Sequence, residues 1–193
     1  MKKLIIITGF ESTGSVFVAK VISHVTGKCQ TYGSWSGYGV NGSVDDELVI
    51  LHQSMPSSRR PKKWLSDLDG KISQYVGYQV YCVVCTRDLN ISKQSRMSRF
   101  GGTLREYTED DERASEYLTS LLRTHNSFIF SFETAVALKD YYYHELFKWL
   151  DVETEFVPPL FDANVPYVKR RFFPKYYAVL RRLGFWLKKN IKY

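Results

Sequence analysis

An unbroken apolar run, Leu4 to Ile7, ends in Thr8 and gives way at once to Gly9-Phe10-Glu11-Ser12-Thr13-Gly14-Ser15. Past this turn, Val18, Val21, Ile22 and Val25 recur at helical spacing until Gly27 closes the pattern. A strand that is apolar at every position must be covered on both faces, which restricts it to the middle of a sheet flanked by helices. Glu47 to His52, Tyr78 to Cys85 and Ser127 to Phe132 read as three more strands. Helical patterns run through Trp64, Leu65, Leu68 and Ile72, over Leu89 to Arg99, through Tyr117, Leu118, Leu121 and Leu122, and over Leu138 to Leu150. Strands alternating with helices predict one three-layer α/β domain with a central parallel sheet and right-handed crossovers, spanning residues 1–193.

The connections carry signals of their own. Gln30 to Ser43 is rich in Gly, Ser and Tyr and reads as a loop long enough for a lid or an acceptor-binding segment. Thr108-Glu109-Asp110-Asp111 reads as a helix N-cap with acids in the first turn. Val157 to Tyr167 holds three prolines and reads as irregular chain. Residues 168–193 form a basic tail, with a C-terminal amphipathic helix expected after Pro174.

Composition bounds the function classes. The net charge of +7 is concentrated at the C-terminus, because residues 169–193 carry nine Lys or Arg and no acid. The remainder is close to neutral, and no nucleic-acid-binding motif is present, so a nucleic-acid partner is not expected. Cys82 and Cys85 alternate with Val83 and Val84 in a buried run and read as core thiols, which fits a reducing compartment. The apolar run after Met1-Lys2-Lys3 is too short for a signal peptide, and no segment is long enough to span a membrane. A cytoplasmic protein, or one peripheral to a membrane, is the expectation.

Two anion grips stand out. A glycine- and hydroxyl-rich turn between strand and helix directs backbone N–H groups and the positive end of the helix dipole at one spot. Thr86-Arg87-Asp88 follows another strand, with Ser95 eight positions past the arginine. These residues resemble the sulfotransferase family that takes its sulfuryl group from 3′-phosphoadenosine 5′-phosphosulfate (PAPS). The likeness covers about residues 3 to 150. It rests on Thr13-Gly14-Ser15, on the Arg87 and Ser95 spacing with Asp88 between them, and on Ser131-Phe132-Glu133 before a helix.

The resemblance implies a P-loop nucleotide hydrolase-like (sulfotransferase-like) fold, a PAPS donor and 3′-phosphoadenosine 5′-phosphate (PAP) as product. It places the 5′-phosphosulfate on Gly9, Ser12, Thr13, Gly14 and Ser15. The 3′-phosphate would lie on Arg87 and Ser95, with Lys169, Arg170 and Arg171 closing over it. No metal is expected. The acceptor would be a hydroxyl or amine on a glycan, a glycolipid or a small molecule. The tail helix would meet either the domain core, an anionic membrane surface or an acidic glycan.

The chain departs from the family at one point. Ser12, beside Glu11, stands where relatives place a cation that steadies the leaving phosphate; either Lys20 or a residue of the Arg59 to Lys63 run replaces it, or nothing does. Arg96 and Arg99 either add charge to the site or are solvated. Some relatives carry a Lys-x-His-x-Pro element at a strand end. Here His52 takes the place of its Lys and Ser54 the place of its His. His52 is the candidate base, and Glu11 its rival. Asp88 reads as a helix cap, Glu133 as an orienting or surface carboxylate, and His24, His125 and His144 as structural or surface residues. Two alternatives stay open: a P-loop-like small-molecule kinase, which lacks the lysine expected at Ser15, or a non-catalytic nucleotide-binding or membrane-docking module.

Overall fold

The computed structural model describes residues 1–55 and 65–168 of the chain. Five strands form one sheet: β1 (Lys3–Phe10), β2 (Gly39–Asn41), β3 (Leu48–Met55), β4 (Gln79–Thr86) and β5 (Asn126–Ser131), in the order β2-β3-β1-β4-β5. β1 is central and pairs parallel with both β3 and β4, and β5 lies parallel to β4. The expected central parallel sheet is present, and β2 adds a short strand antiparallel to β3 at its edge. The three residues of β2 fall inside the stretch read as loop and are too few to show a period.

Helices cover both faces, as the fully apolar central strands require. α1 (Ser15–Val25), α5 (Phe132–Leu138) and α6 (Asp140–Trp149) bury Ile5, Ile7, Ile50, Val83 and Phe130 beneath Val18, Ile22, Ala135 and Phe147. On the opposite face, α2 (Leu65–Ile72) and α4 (Leu104–Thr124) cover Leu4, Ile6, Val49, Leu51 and Val84 with Leu68, Leu118 and Leu121. The result is a three-layer α/β arrangement. Cys82 and Cys85 enter different faces and are free thiols; burial pushes the Cys82 thiol up to about 12 and moves Cys85 in the same direction. Among the described residues, no helix is long and apolar enough to cross a membrane. The amphipathic helix expected after Pro174 lies outside the described residues.

Four boundaries differ from expectation. β1 runs through Gly9 and Phe10, which were read as turn, and β3 runs on to Met55. The helix expected from Leu138 to Leu150 runs from Asp140 to Trp149, and Lys139, a non-glycine residue held at φ 48°, parts it from a separate helix, α5, that the sequence reading did not include. α4 opens at Leu104 rather than near Thr108, because Thr103 and Glu106 form a reciprocal capping box after the Gly101-Gly102 break. The Thr108 hydroxyl instead donates to Leu104 O inside the helix. Thr103→Ala is therefore expected to destabilise the fold by about 1 kcal/mol, lowering the melting temperature by roughly 2–4 °C. Thr108→Ala should leave the melt almost unchanged, and equal shifts for the two would refute the assignment of the cap.

Candidate functional site

The carboxyl ends of β1, β3 and β4 lie side by side, and the residues singled out in the sequence gather there. Gly9 is the last residue of β1 paired with both neighbours, opposite Ser54 on β3 and Cys85 on β4. A Cβ at Gly9 would lie 2.2 Å from Cys85 O, so only glycine lets the two strands close here. The connection to α1 is short, from Glu11 to Gly14. Ser12 adopts φ 70° and Gly14 φ 91°, and the left-handed Gly14 supplies the N-cap of α1. The Thr13 side chain is fully buried and donates to Phe10 O at 2.7 Å, which tightens the turn. Ser15 opens the helix and is itself buried.

Arg87 leaves the tip of β4 and ties this turn to a distant segment. Its Nη1 donates to Ser12 O at 2.9 Å, Nη2 to Ala163 O at 2.7 Å, and Nε to Asn164 Oδ1 at 2.7 Å. The guanidinium also lies over the Phe132 and Tyr167 rings. Phe132 is the ring that a Cβ on Gly14 would approach, at 3.3 Å, so Gly14 and Arg87 share a neighbour. Burial lowers the pKa of Arg87, opposed by Tyr167, Glu133, Asp162 and Asp88, and a guanidinium stays charged across the usual pH range.

Ser95 and Arg87 converge on one residue, Tyr167, in the one-turn helix α7 (Val165–Val168). The Tyr167 hydroxyl lies 3.0 Å from Ser95 Oγ. Glu133 supports the same segment, since its Oε1 accepts from Asn164 Nδ2 and from the Asp88 backbone N–H. It is thus an orienting carboxylate. Asp88 caps α3 (Leu89–Phe100) by accepting from Ile91 N, as expected.

His52 lies inside β3, not at its tip. It is only 3% exposed, with Nε2 at 2.9 Å from Ser15 Oγ and the ring edge-on to Tyr38. Burial lowers its pKa to about 4, so at neutral pH it is an uncharged imidazole. Ser54, two residues on along the same face of the strand, sits 3.2 Å from Ser15 Oγ.

The candidate cations separate. Lys20 stands five residues into α1, and its stem packs against Gly37 of the Gln30–Ser43 stretch. Arg96 is fully buried and paired with Asp111 at 2.7 Å, under Tyr107, so the solvated option fails for it. Arg99 is exposed, and its Nη1 reaches Ser12 Oγ at 3.3 Å. Two guanidinium groups therefore meet Ser12, which stands where a cation was missing. Glu11 contributes backbone to the frame: its carbonyl accepts from Ser92 Oγ, and its N–H donates to Met55 O. The Arg59 to Lys63 run, Lys169 and Arg170 lie outside the described residues.

Sequence reasoning did not select Asn164, Tyr167, Ser54 or Tyr38 as site residues. Asn164 and Tyr167 lie in a proline-interrupted stretch with no period, and only the tertiary fold brings them to Arg87. Ser54 was within reach of strand parity, since a strand continuing past His52 places it on the same face two residues later. The arrangement offers two cationic side chains, a glycine-capped helix N-terminus and a neutral imidazole toward the carboxyl ends of the inner strands, a constellation suited to a multiply charged anion. Compared with known proteins, the chain matches no family model and no curated protein.

Proposed function

We propose that this protein is a PAPS-dependent sulfotransferase with a P-loop-like fold, moving a sulfuryl group to an acceptor hydroxyl or amine. One observation carries the reading: Arg87 donates to the backbone of Ser12, so the helix-capping turn and the Arg87–Ser95 pair belong to a single site. A donor with phosphates on the 5′ and 3′ positions of one ribose needs two anion grips close together, and the contact of Arg87 with Ser12 makes the two candidate grips neighbours. The strand order, with the turn after the central strand, agrees with the P-loop reading.

In this reading the 5′-phosphosulfate lies on the N-terminus of α1, against the backbone of Ser12 to Ser15. Arg87 and Ser95 take the 3′-phosphate once Tyr167 yields its hydrogen bond to Ser95. Arg99 supplies the positive charge that the turn lacks, since its exposed guanidinium already touches Ser12. Charge developing on the leaving phosphate is stabilised best by such preplaced donors. Lys20, further down the helix beside Gly37, serves the acceptor side of the same cleft. Glu11 and His52 remain the carboxylate and imidazole able to accept a proton. The Gly/Ser/Tyr stretch that brings Tyr38 onto His52 provides the acceptor surface, fitting a glycan, a glycolipid or a small molecule. The basic C-terminal residues supply a partner for an anionic surface.

A thermal-shift measurement with PAP set against Mg-ATP tests this. PAP alone at about 100 times its dissociation constant should stabilise the fold by about 2.7 kcal/mol, with no need for magnesium. Stabilisation by Mg-ATP alone would overturn the reading in favour of a kinase. Transfer of labelled sulfate from PAPS then separates an enzyme from a nucleotide-binding module.

A further inference from the structure

Ser54 is the outermost member of a hydrogen-bonded chain that leads inward to His52. The side chains of His52 and Ser54 share one face of β3, and Ser54 stands beside Gly9 at the start of the turn. From Ser54 Oγ the path runs 3.2 Å to Ser15 Oγ and 2.9 Å on to His52 Nε2. Ser15 and His52 are each 3% exposed, whereas Ser54 is half-buried, so only one end of the chain is open to an incoming molecule. His52 has its Nε2 engaged and its ring closed off by Tyr38, and it does not present a free nitrogen to an acceptor.

The geometry points to Ser54 as the residue that meets the acceptor hydroxyl, with the acceptor's proton reaching His52 through Ser15. The inference rests on the sulfuryl-transfer reading and assigns the proton path within it. As the acceptor oxygen bonds to sulfur, the bond from sulfur to the bridging oxygen breaks, and its electron pair stays on the 5′-phosphate. The acceptor proton moves to Ser54 Oγ, the Ser54 proton to Ser15 Oγ, and the Ser15 proton to His52 Nε2. Each hydroxyl gives one proton and receives one, and His52 ends as an imidazolium.

This path requires Nε2 to be bare beforehand and the ring proton to sit on Nδ1. The Nδ1 atom is buried without a partner among the described residues, so Ser15 at Nε2 is the hydrogen-bonding group that faces the ring, and the tautomer is what the NMR measurement below reads. Of the described groups packed on the ring, Ser15 comes from α1, Gly39 of β2 is the residue registered opposite, and Tyr38 is a titratable neighbour. An imidazolium is disfavoured by the burial, yet the charge gathering on the leaving phosphate nearby offsets it during transfer. The proton then returns to solvent by the same hydroxyls.

Two measurements on the full chain test the path. Ser54→Ala should bind PAP within about twofold of the parent while transfer falls by about 100-fold or more, and Ser54→Thr, which keeps the hydroxyl, should restore it to within roughly tenfold. Nitrogen NMR of the His52 ring, in the protein saturated with PAP, should report the Nδ1–H tautomer, and its Nε2 resonance should shift in Ser15→Ala. Full transfer in a PAP-binding Ser54→Ala, or a ring protonated on Nε2, overturns the relay and leaves the sulfotransferase reading standing. A parent protein that binds no PAP and moves no sulfate removes that reading, and the relay with it.

Discussion

Arg87→Ala is expected to weaken PAP binding by at least about 100-fold and to lower folding stability by roughly 3 kcal/mol. Both effects follow from one side chain. The guanidinium spends three N–H groups on Ser12 O, Ala163 O and Asn164 Oδ1, in a place where water is largely excluded. Removing it leaves those acceptors without their charged donor and cuts the link between the turn after β1 and the segment before α7. The same deletion takes the permanent positive charge from the proposed 3′-phosphate grip. Arg87→Lys separates the two roles. A lysine keeps the charge but lacks the planar fork, so it should recover part of the PAP affinity and little of the lock. Calorimetry with PAP and urea unfolding read the two quantities. Unchanged affinity in Arg87→Ala would remove this residue from the site, and unchanged stability would show that the three hydrogen bonds hold nothing together.

The turn after β1 also shows how far a sequence carries. Its two glycines were legible as a pair flanking polar residues, and the helix N-terminus behind them followed from the spacing of Val18, Val21 and Ile22. Their different tasks were not legible. Gly14 answers to a local demand, a left-handed cap, while Gly9 answers to Cys85 O across the sheet, a contact no local pattern contains. β1, β3 and β4 emerged because inner strands must be largely apolar; β5, an edge strand with Phe130 buried and Ile129 exposed, showed itself by its aromatic run, whereas β2 was too short to show a period.

The acids at Glu109 to Asp111 drew the helix start to Thr108, yet Asp111 is there to meet Arg96 from α3. The Thr103 and Glu106 box was readable and sat directly after two glycines. Lys139 had no such marker, since lysine at positive φ obeys no sequence rule. Arg87 and Ser95, singled out by their spacing, both meet Tyr167. Tyr167 and Asn164 themselves were hidden because their partners lie more than 70 residues away in sequence.

Lowering the pH from 7 toward 4 should remove about 3 kcal/mol of stability through His52 alone. The sign follows from where the proton goes. Burial holds the folded imidazole at about 4, whereas an unfolded chain returns histidine to its ordinary value near 6.5. Between those two values the unfolded state binds the proton and the folded state does not. The contribution is therefore fully present above pH 6.5 and is lost as pH falls through the folded value. Carboxylates also titrate near the lower limit, so the informative quantity is the difference between the parent protein and His52→Gln, which carries no titrating ring. Urea midpoints measured from pH 7 to pH 4.5 should fall faster for the parent, most steeply below pH 6. Parallel curves would show that His52 is not held neutral in the fold. The proposed relay requires this state, because only a neutral ring can take a proton from Ser15, whose Oγ lies 2.9 Å from Nε2.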